Sequence, residues 1–275
     1  MTDRVTYQAK WLLTDPWTVL ENGYVQVCGS TIEDAGTGRP PKDAPVIDMG
    51  PGVMMPPLVN AHTHLELSAL QGELPVDTGF RRWAGELIQK RSALTESALL
   101  EGAGKSIELL LESGCGAVGE ISTLGITREL LRKSSLAGVF FHEHLGSDRP
   151  SDARVEKSKR LSLSLAAHAP HTTSPGLLRS TKLMTSAGGL PLSLHLAESE
   201  DEMLFIQSGR GDWADFLTDR GIDFSDWPIP ARSPVAYLHA LGVLDAGTLA
   251  VHLLHCTGED MALLRKNNVK VCFCP

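Results

Sequence analysis

Short aliphatic segments alternate with longer amphipathic segments from residue 56 to the end of the chain, and this alternation limits the fold more than any other feature. Seven of the short segments have the length and composition of β-strands: residues 57–62, 116–122, 138–146, 161–169, 190–198, 249–256 and 269–275. Helix patterns with capping residues lie between them, at residues 95–114, 174–189 and 258–268. Strands that alternate with helices predict parallel βαβ units and a sheet that is buried on both faces.

The segment THLELSALQG, which follows the first strand of this series, distinguishes two parallel folds. An open nucleotide-binding sheet carries a glycine-rich turn at this point, and this segment does not match one. Histidines and acids instead follow the carboxyl ends of most strands: His62, His64, Glu120, His142, Glu143, His144, His168, His195 and His252. A site built from many strand ends is typical of a barrel. We therefore predict an α/β fold, an incomplete (β/α)8 TIM-type barrel with about seven strands.

Residues 1–55 have a different character. Short β-type runs at residues 24–29 and 44–50 are separated by glycine, proline and aspartate. The pair Asn22–Gly23 predicts a hairpin turn. We therefore predict two domains. Residues 1–55 form a small β domain, and residues 56–275 form the barrel, which stops before strand eight.

Charge and cysteine content exclude several classes of protein. The formal net charge is −8, with acids and bases intermixed, which argues against a nucleic-acid surface or a polybasic membrane patch. No apolar run approaches the roughly 18 residues of a spanning helix, and the N-terminus lacks the apolar core of a signal peptide. The five cysteines are scattered and odd in number, so a disulfide framework is not expected. We predict a soluble cytoplasmic protein without nucleic-acid or membrane partners.

His62 and His64 are separated by one residue at a strand end, so both imidazoles point to the same side. Two such imidazoles can bind one metal ion, although hydrogen-bonded histidines in a core or loop would give the same pattern. His195 ends another strand and can complete a three-histidine set that leaves a position for water. Glu198, three residues later, is then placed to move protons. Its alternative role is an acid at a helix N-terminus.

Further strand-end histidines leave several assignments open. Either His252 or His255 could bind metal or polarise an attacking water, and the other would be structural. His168 lies at the end of a third strand, where a lone histidine is more often structural. The pair Cys272 and Cys274 could bind metal, but cysteine also packs as a small hydrophobic residue in a buried strand, which we favour.

Four segments in fixed order resemble the amidohydrolase superfamily: PPLVNAHTHLE, HAPHTTSP, LHLAESEDE and VHLLHCTGED. The likeness is greatest to its aminohydrolase branch, which contains guanine, cytosine, adenosylhomocysteine and aminodeoxyfutalosine deaminases and the triazine hydrolases. FRRWAGELIQKR and FFHEHLG are most similar to the aminodeoxyfutalosine deaminase-like group. The resemblance implies a distorted (β/α)8 barrel with one divalent ion, Zn²⁺ or Fe²⁺. It also implies that residues 1–55 are the N-terminal part of a composite β-sandwich.

The resemblance also implies roles for individual residues. His62, His64 and His195 resemble the metal ligands, Glu198 resembles the acid that moves protons, and His252 resembles the histidine that hydrogen-bonds the attacking water. The substrate-contacting residues are expected to be His168 and Glu143.

The implied activity is that of a hydrolase acting on carbon–nitrogen bonds other than peptide bonds. Its substrate would be a small molecule, an amino-substituted purine nucleoside or related ring of the aminodeoxyfutalosine type, deaminated by a metal-activated water. Two alternatives stay open: an amidohydrolase with another leaving group, such as chloride from a triazine or a cyclic amide, and a non-catalytic remnant. A homodimer is compatible with the resemblance.

The family pattern also uses an aspartate at the end of strand eight, as a metal ligand and a base. The chain ends at Pro275, so no residue takes this role, and we expect a C-terminally truncated hydrolase. The 275-residue chain alone is therefore expected to be unstable and weakly active or inactive. The connection at residues 147–160 is also short for a full crossover helix.

Overall fold

A computed structural model of the protein describes residues 4–75, 79–147 and 153–274. The chain divides into two compact units, Met1–Leu58 and Val59–Pro275. None of the described helices is long and apolar enough to cross a membrane.

The first unit is a five-stranded sheet, which confirms the predicted N-terminal β segment. Its strands are β1 (Arg4–Asp15), β2 (Thr18–Cys28), β3 (Thr31–Thr37), β4 (Val46–Asp48) and β5 (Val53–Met54). The order is β3-β2-β1-β4, and β5 also pairs with β1. β1, β2 and β3 pair antiparallel, whereas β4 and β5 run parallel to β1. The second layer of a β-sandwich is not present among the described residues.

The predicted hairpin turn at Asn22–Gly23 is wrong. Both residues lie inside β2, and the turn between β1 and β2 comes earlier, after Asp15. Asn22 has a φ of 52°, and a Cβ added at Gly23 would lie 2.2 Å from the Cβ of Leu12. Asn22 and Gly23 therefore form a local irregularity in a long strand, at a point where β2 lies very close to β1. The pairing of β1 with β2 overrides the turn preference of these two residues.

The second unit contains seven parallel strands in a nearly closed barrel, which confirms the predicted incomplete barrel. Its strands are β6 (Leu58–Thr63), β7 (Cys115–Ser122), β8 (Ala137–His144), β9 (Leu161–Ala167), β10 (Leu192–Leu196), β11 (Thr248–His252) and β12 (Lys270–Cys272). They neighbour one another in chain order. Gly119 on β7 permits close approach to β6, since a Cβ there would lie 2.2 Å from the Ala61 carbonyl oxygen.

Helices follow most of these strands. A 3-10 helix (Leu65–Leu70) follows β6 directly. The α-helices are α1 (Phe80–Ala93), α2 (Glu96–Glu112), α3 (Arg128–Lys133), α4 (Pro175–Ala187), α5 (Glu200–Ser208), α6 (Asp212–Asp219), α7 (Pro234–Ala240) and α8 (Gly258–Lys266).

Side-chain caps explain where three of these helices begin. Thr95 accepts the N–H of Ala98 at the start of α2, and Ser174 accepts the N–H of Leu177 at the start of α4. Thr257 forms a reciprocal capping box with Asp260 at the start of α8. These bonds satisfy backbone donors that lack partners in the first helical turn.

The largest apolar core lies between β9–β11 and the helices that cover them. All five residues of β10 are buried. Leu194 and Leu196 belong to the same cluster as Phe205 and Leu238. Because side chains alternate along a strand, His195 points to the opposite side, into the barrel.

Part of the connection between β8 and β9, residues 148–152, lies outside the described residues. Residues 153–160 contain no helix, and Glu156 forms an antiparallel bridge with Leu163. The described part of this connection is therefore irregular.

Candidate active site

Three imidazoles meet inside the barrel. His62 and His64 come from the end of β6, and His195 comes from β10. The ring of His62 lies 4.8 Å from that of His64 and 4.9 Å from that of His195, centroid to centroid. The Nε2 atoms of His64 and His195 are 3.4 Å apart. One nitrogen from each residue lies within 4.8 Å of the other two, a separation that one shared ion can bridge.

The protonation of these imidazoles suits a cation. Burial, together with the smaller effect of neighbouring imidazoles, lowers the pKa of His62 to about 3. Burial likewise brings the pKa of His64 well below its ordinary value and lowers that of His195. All three are therefore neutral at pH 7, the form in which imidazole binds metal.

Hydrogen bonding leaves nitrogen lone pairs unused. The Nδ1 of His195 is 2.8 Å from the carbonyl oxygen of His168, which can only accept, so the lone pair of His195 is on Nε2. The Nδ1 of His62 is buried and has no hydrogen-bond partner in the described chain. An unpaired buried polar atom is costly, and a bound ion would satisfy it. The three residues therefore fit a divalent metal ion.

Glu198 and His252 lie beside this triad. The Oε1 atom of Glu198 is 3.3 Å from the Nε2 atom of His252. The ring of His252 lies 5.7 Å from that of His62 and 5.5 Å from that of His195. Burial raises the pKa of Glu198, which His195 partly offsets, and burial lowers the pKa of His252. Burial therefore favours the protonated form of the Glu198 carboxyl more than water does.

The alternative role of Glu198 as a helix acid does not fit. Helix α5 begins at Glu200, and Ser199 is its N-cap, so Glu198 precedes the cap. The acids of the first turn are Glu200, Asp201 and Glu202. Glu198 instead faces His252.

Glu202 has a different task. It is fully buried, and its two carboxylate oxygens accept the N–H groups of Ala197 and Glu198, each at 2.9 Å. Ala197 has a φ of 51°, so the strand ends sharply there. Glu202 therefore holds the segment that carries Glu198. The sequence analysis missed it, although Ser199 and Glu202 have the spacing of a capping box.

The predicted substrate contacts lie on another side of His195. The ring of His168 is 4.9 Å from that of His195, and its Nδ1 lies 2.6 Å from the Thr172 hydroxyl. Oε1 of Glu143 is 3.8 Å from Nδ1 of His195. Burial lowers the pKa of His168 to about 4 and raises that of Glu143. Glu143, His168 and His195 form a second group of metal-capable side chains.

His171, His255 and the cysteine pair lie outside both groups of metal-capable side chains. His171 is buried against Trp213, with ring centroids 4.2 Å apart. The backbone N–H of His255 donates to the carbonyl oxygen of Ala197. Of the two histidines that the sequence left open, His252 is the one that lies beside Glu198. In the described chain, neither group of metal-capable side chains includes Cys272, Cys274 or an aspartate.

Two further carboxylates hold the segment after β6. Glu120 is buried, and it accepts the N–H of Leu65 at 3.0 Å and the Thr127 hydroxyl at 2.8 Å. Glu66 is also buried and turns away from the histidines toward the end of β7. Glu66 follows the HTH segment after one residue, Leu65, but the direction of its side chain could not be predicted from this spacing.

The sequence model of the Amidohydrolase family matches residues 53–275. The chain belongs to the amidohydrolase family. Among curated members, it is 30% identical over 244 residues to the aminodeoxyfutalosine deaminase of Deinococcus radiodurans, covering 81% of this chain and 57% of that protein. It is 29% identical over 291 residues to the 5-methylthioadenosine/S-adenosylhomocysteine deaminase of Nitratidesulfovibrio vulgaris, covering 98% and 61%. The chain thus spans about three fifths of the length of these relatives.

Solved structures of amidohydrolases share the fold. The crystal structure of Helicobacter pylori aminofutalosine deaminase in complex with methylthio-coformycin superposes with a TM-score of 0.84 at 24% identity, covering 98% of this chain and 69% of that one. Guanine deaminase from C. acetobutylicum gives 0.77 at 18% identity, covering 99% and 68%. The resemblance to the amidohydrolase superfamily is confirmed.

Proposed function

We propose that this amidohydrolase deaminates a 6-aminopurine nucleoside, and that His62, His64 and His195 hold a Zn²⁺ or Fe²⁺ ion. The observation that carries the proposal is the meeting of three neutral imidazoles with the Glu198–His252 pair inside the barrel. The names of the relatives add support, since they are deaminases of aminodeoxyfutalosine, 5-methylthioadenosine and S-adenosylhomocysteine.

The reaction replaces the 6-amino group with an oxygen from water and releases ammonia. When bound, the metal supplies Lewis acidity that makes water a stronger nucleophile at neutral pH. His252 accepts a hydrogen bond from the attacking water and orients it toward C6. Glu198 carries the two protons of that water in turn through Oε1, the first to N1 of the ring and the second to the amino group. The C6–N bond then breaks, ammonia departs, and the ring keeps a 6-oxo group with N1 protonated. The raised pKa of Glu198 favours this two-way use.

Glu143 and His168 bind the substrate in this proposal. Both lie beside His195, on buried or half-buried positions from which water is largely excluded. A carboxylate in such a place discriminates strongly for a ligand that offers it an N–H or O–H donor, because an unpaired partner is costly.

The test is ammonia release by the zinc-loaded chain from a panel of adenosine, 5'-methylthioadenosine, S-adenosylhomocysteine, aminodeoxyfutalosine and guanine. We expect slow turnover of at least one adenine nucleoside, in keeping with the weak activity expected of the chain alone, and a loss of at least about 100-fold in kcat for Glu198→Gln. Glu200→Gln is the matched control, since Glu200 is exposed two residues away. A chlorinated triazine, with chloride as the readout, tests the alternative leaving group. The proposal fails if no nucleoside releases ammonia, or if Glu198→Gln keeps full activity.

A further inference from the structure

Glu66 is a buried acid that does not face the metal site. Only 1% of its surface is exposed. Its carboxylate accepts the Ser122 hydroxyl at 2.6 Å and the N–H groups of Thr123 at 3.0 Å and Leu124 at 3.1 Å. Nη1 of Arg91 lies 3.7 Å from the same carboxylate. The Glu66 carboxylate thus has three hydrogen-bond donors and one guanidinium group around it.

These contacts join three segments that surround the barrel interior. Glu66 belongs to the 3-10 helix after β6, Ser122 ends β7, and Arg91 lies in α1. The loop after β7 is bonded through consecutive backbone groups, at Thr123 and Leu124. Glu66 therefore fixes the backbone of that loop relative to the strand that carries His62 and His64.

The fixed loop reaches Glu143 through one side chain. The hydroxyl of Thr123 donates to Oε2 of Glu143 at 2.9 Å. Glu143 is buried, and its other oxygen, 3.8 Å from Nδ1 of His195, has no hydrogen-bond partner among the described residues. The Thr123 hydroxyl is thus the donor that sets the rotation of this carboxylate.

We propose that Thr123 and Glu66 are positioning residues that act through Glu143 on the binding of the substrate. Glu66 fixes the backbone of Thr123, and Thr123 fixes the carboxylate of Glu143. The inference rests on the proposed function, because it takes Glu143 as a substrate contact. It goes beyond that function by assigning the acid of the HTHLE segment and the loop after β7 to substrate recognition.

The test uses a substitution that removes one hydroxyl and keeps the side-chain shape. Thr123→Val should raise KM for the deaminated nucleoside about tenfold, since it removes a hydrogen bond to a charged group. We expect kcat to change less than about threefold and zinc affinity to stay at the wild-type value. Thr123→Ser, which restores the hydroxyl, should recover KM to within about twofold. Thr218→Val is the control, because that hydroxyl bonds only a carbonyl of its own helix, at Ala214.

A binding measurement separates this inference from the proposed function. The dissociation constant of inosine is measured by calorimetry on the zinc-loaded wild type and Thr123→Val, and should rise about tenfold in the variant. Wild-type KM and inosine affinity in Thr123→Val would overturn the inference and leave the proposed function standing. If the wild type neither releases ammonia nor binds inosine, the proposed function fails and the inference falls with it.

Glu66→Gln extends the test by one step. The amide keeps one acceptor but turns a donor toward groups that donate, so the loop after β7 should loosen. We expect the same direction of change in KM, larger than for Thr123→Val. An unchanged KM in a folded Glu66→Gln variant would contradict the role of Glu66.

Discussion

The segments after β6 and β10 are each held by a buried glutamate, but the hydrogen-bond partners of the two glutamates lie at different distances along the chain. Each of the two strand ends delivers imidazoles to the barrel interior and is followed by a buried glutamate, Glu66 after β6 and Glu202 after β10. Glu202 accepts two N–H groups of its own segment, whereas Glu66 accepts donors 56 to 58 residues away, after the neighbouring strand. A buried carboxylate can therefore fix the geometry of a site either within its own segment or between neighbouring strands.

The largest expected effect concerns the residue that both metal-capable groups share. His195→Ala should lower zinc affinity by more than about 100-fold, because it removes one of the three proposed ligands. Zinc per chain after dialysis against a weak chelator measures this. His255→Ala, a histidine outside the triad, should keep wild-type zinc content. Equal zinc contents in the two variants would show that His195, at the end of β10, is not part of the metal site.

Removal of the two buried glutamates tests the comparison directly. Glu66→Ala leaves three hydrogen-bond donors and Arg91 without the carboxylate, and should cost roughly 4 kcal/mol in the free energy of unfolding. Glu202→Ala leaves two donors, and should cost roughly 2 kcal/mol. Urea unfolding measures both, with Glu200→Ala expected within about 0.5 kcal/mol of wild type. A larger loss for Glu202→Ala would reverse the ranking of the long-range and local arrangements.

The sequence predicted those parts of the fold that depend on neighbours along the chain. Aliphatic runs and caps such as Thr95 and Ser174 placed the strands and helices, because both signals are local. The predicted strand at 190–198 extends past the observed Leu192–Leu196, since the positive φ of Ala197 ends it and no propensity encodes that conformation.

The candidate site was predictable to a similar depth. Strand-end spacing favoured the meeting of His62, His64 and His195, and their nitrogens do lie together, while their role as ligands stays a prediction. The direction of Glu66 could not be predicted, because its partners are set by the packing of β6 against β7. The bond from Thr123 to Glu143 depends on the same packing.

Buried acids that have different hydrogen-bond donors should also differ in how they make stability depend on pH. Burial raises the pKa of Glu120 to about 8, from an ordinary 4.5. The folded state then binds this proton more tightly than the unfolded state, so stability falls as pH rises from about 4.5 to 8. Glu120→Gln should remove about 1.4 kcal/mol per pH unit from that slope.

The Gln substitution also fits its surroundings. Its oxygen can accept the N–H of Leu65, and its amide can donate to the Thr127 hydroxyl. Unfolding free energies at pH 5.5, 6.5 and 7.5 measure the slope. Parallel profiles for wild type and Glu120→Gln would show that this carboxyl is ionised in the folded protein throughout the range.

The smallest effect separates two arginines of α1. Arg81 lies 3.2 Å from Asp219 and near Asp212 and Asp215, but its side chain is 40% exposed. Water and salt screen such pairs, so Arg81→Met should cost less than about 1 kcal/mol and still less in 0.5 M salt. Arg91 instead faces the buried Glu66, so Arg91→Met should cost more, roughly 2 kcal/mol, because it leaves a buried charge without its cation. Equal losses in urea unfolding would mean that Arg91 does not stabilise the buried Glu66 carboxylate and that α1 adds nothing to the arrangement after β6.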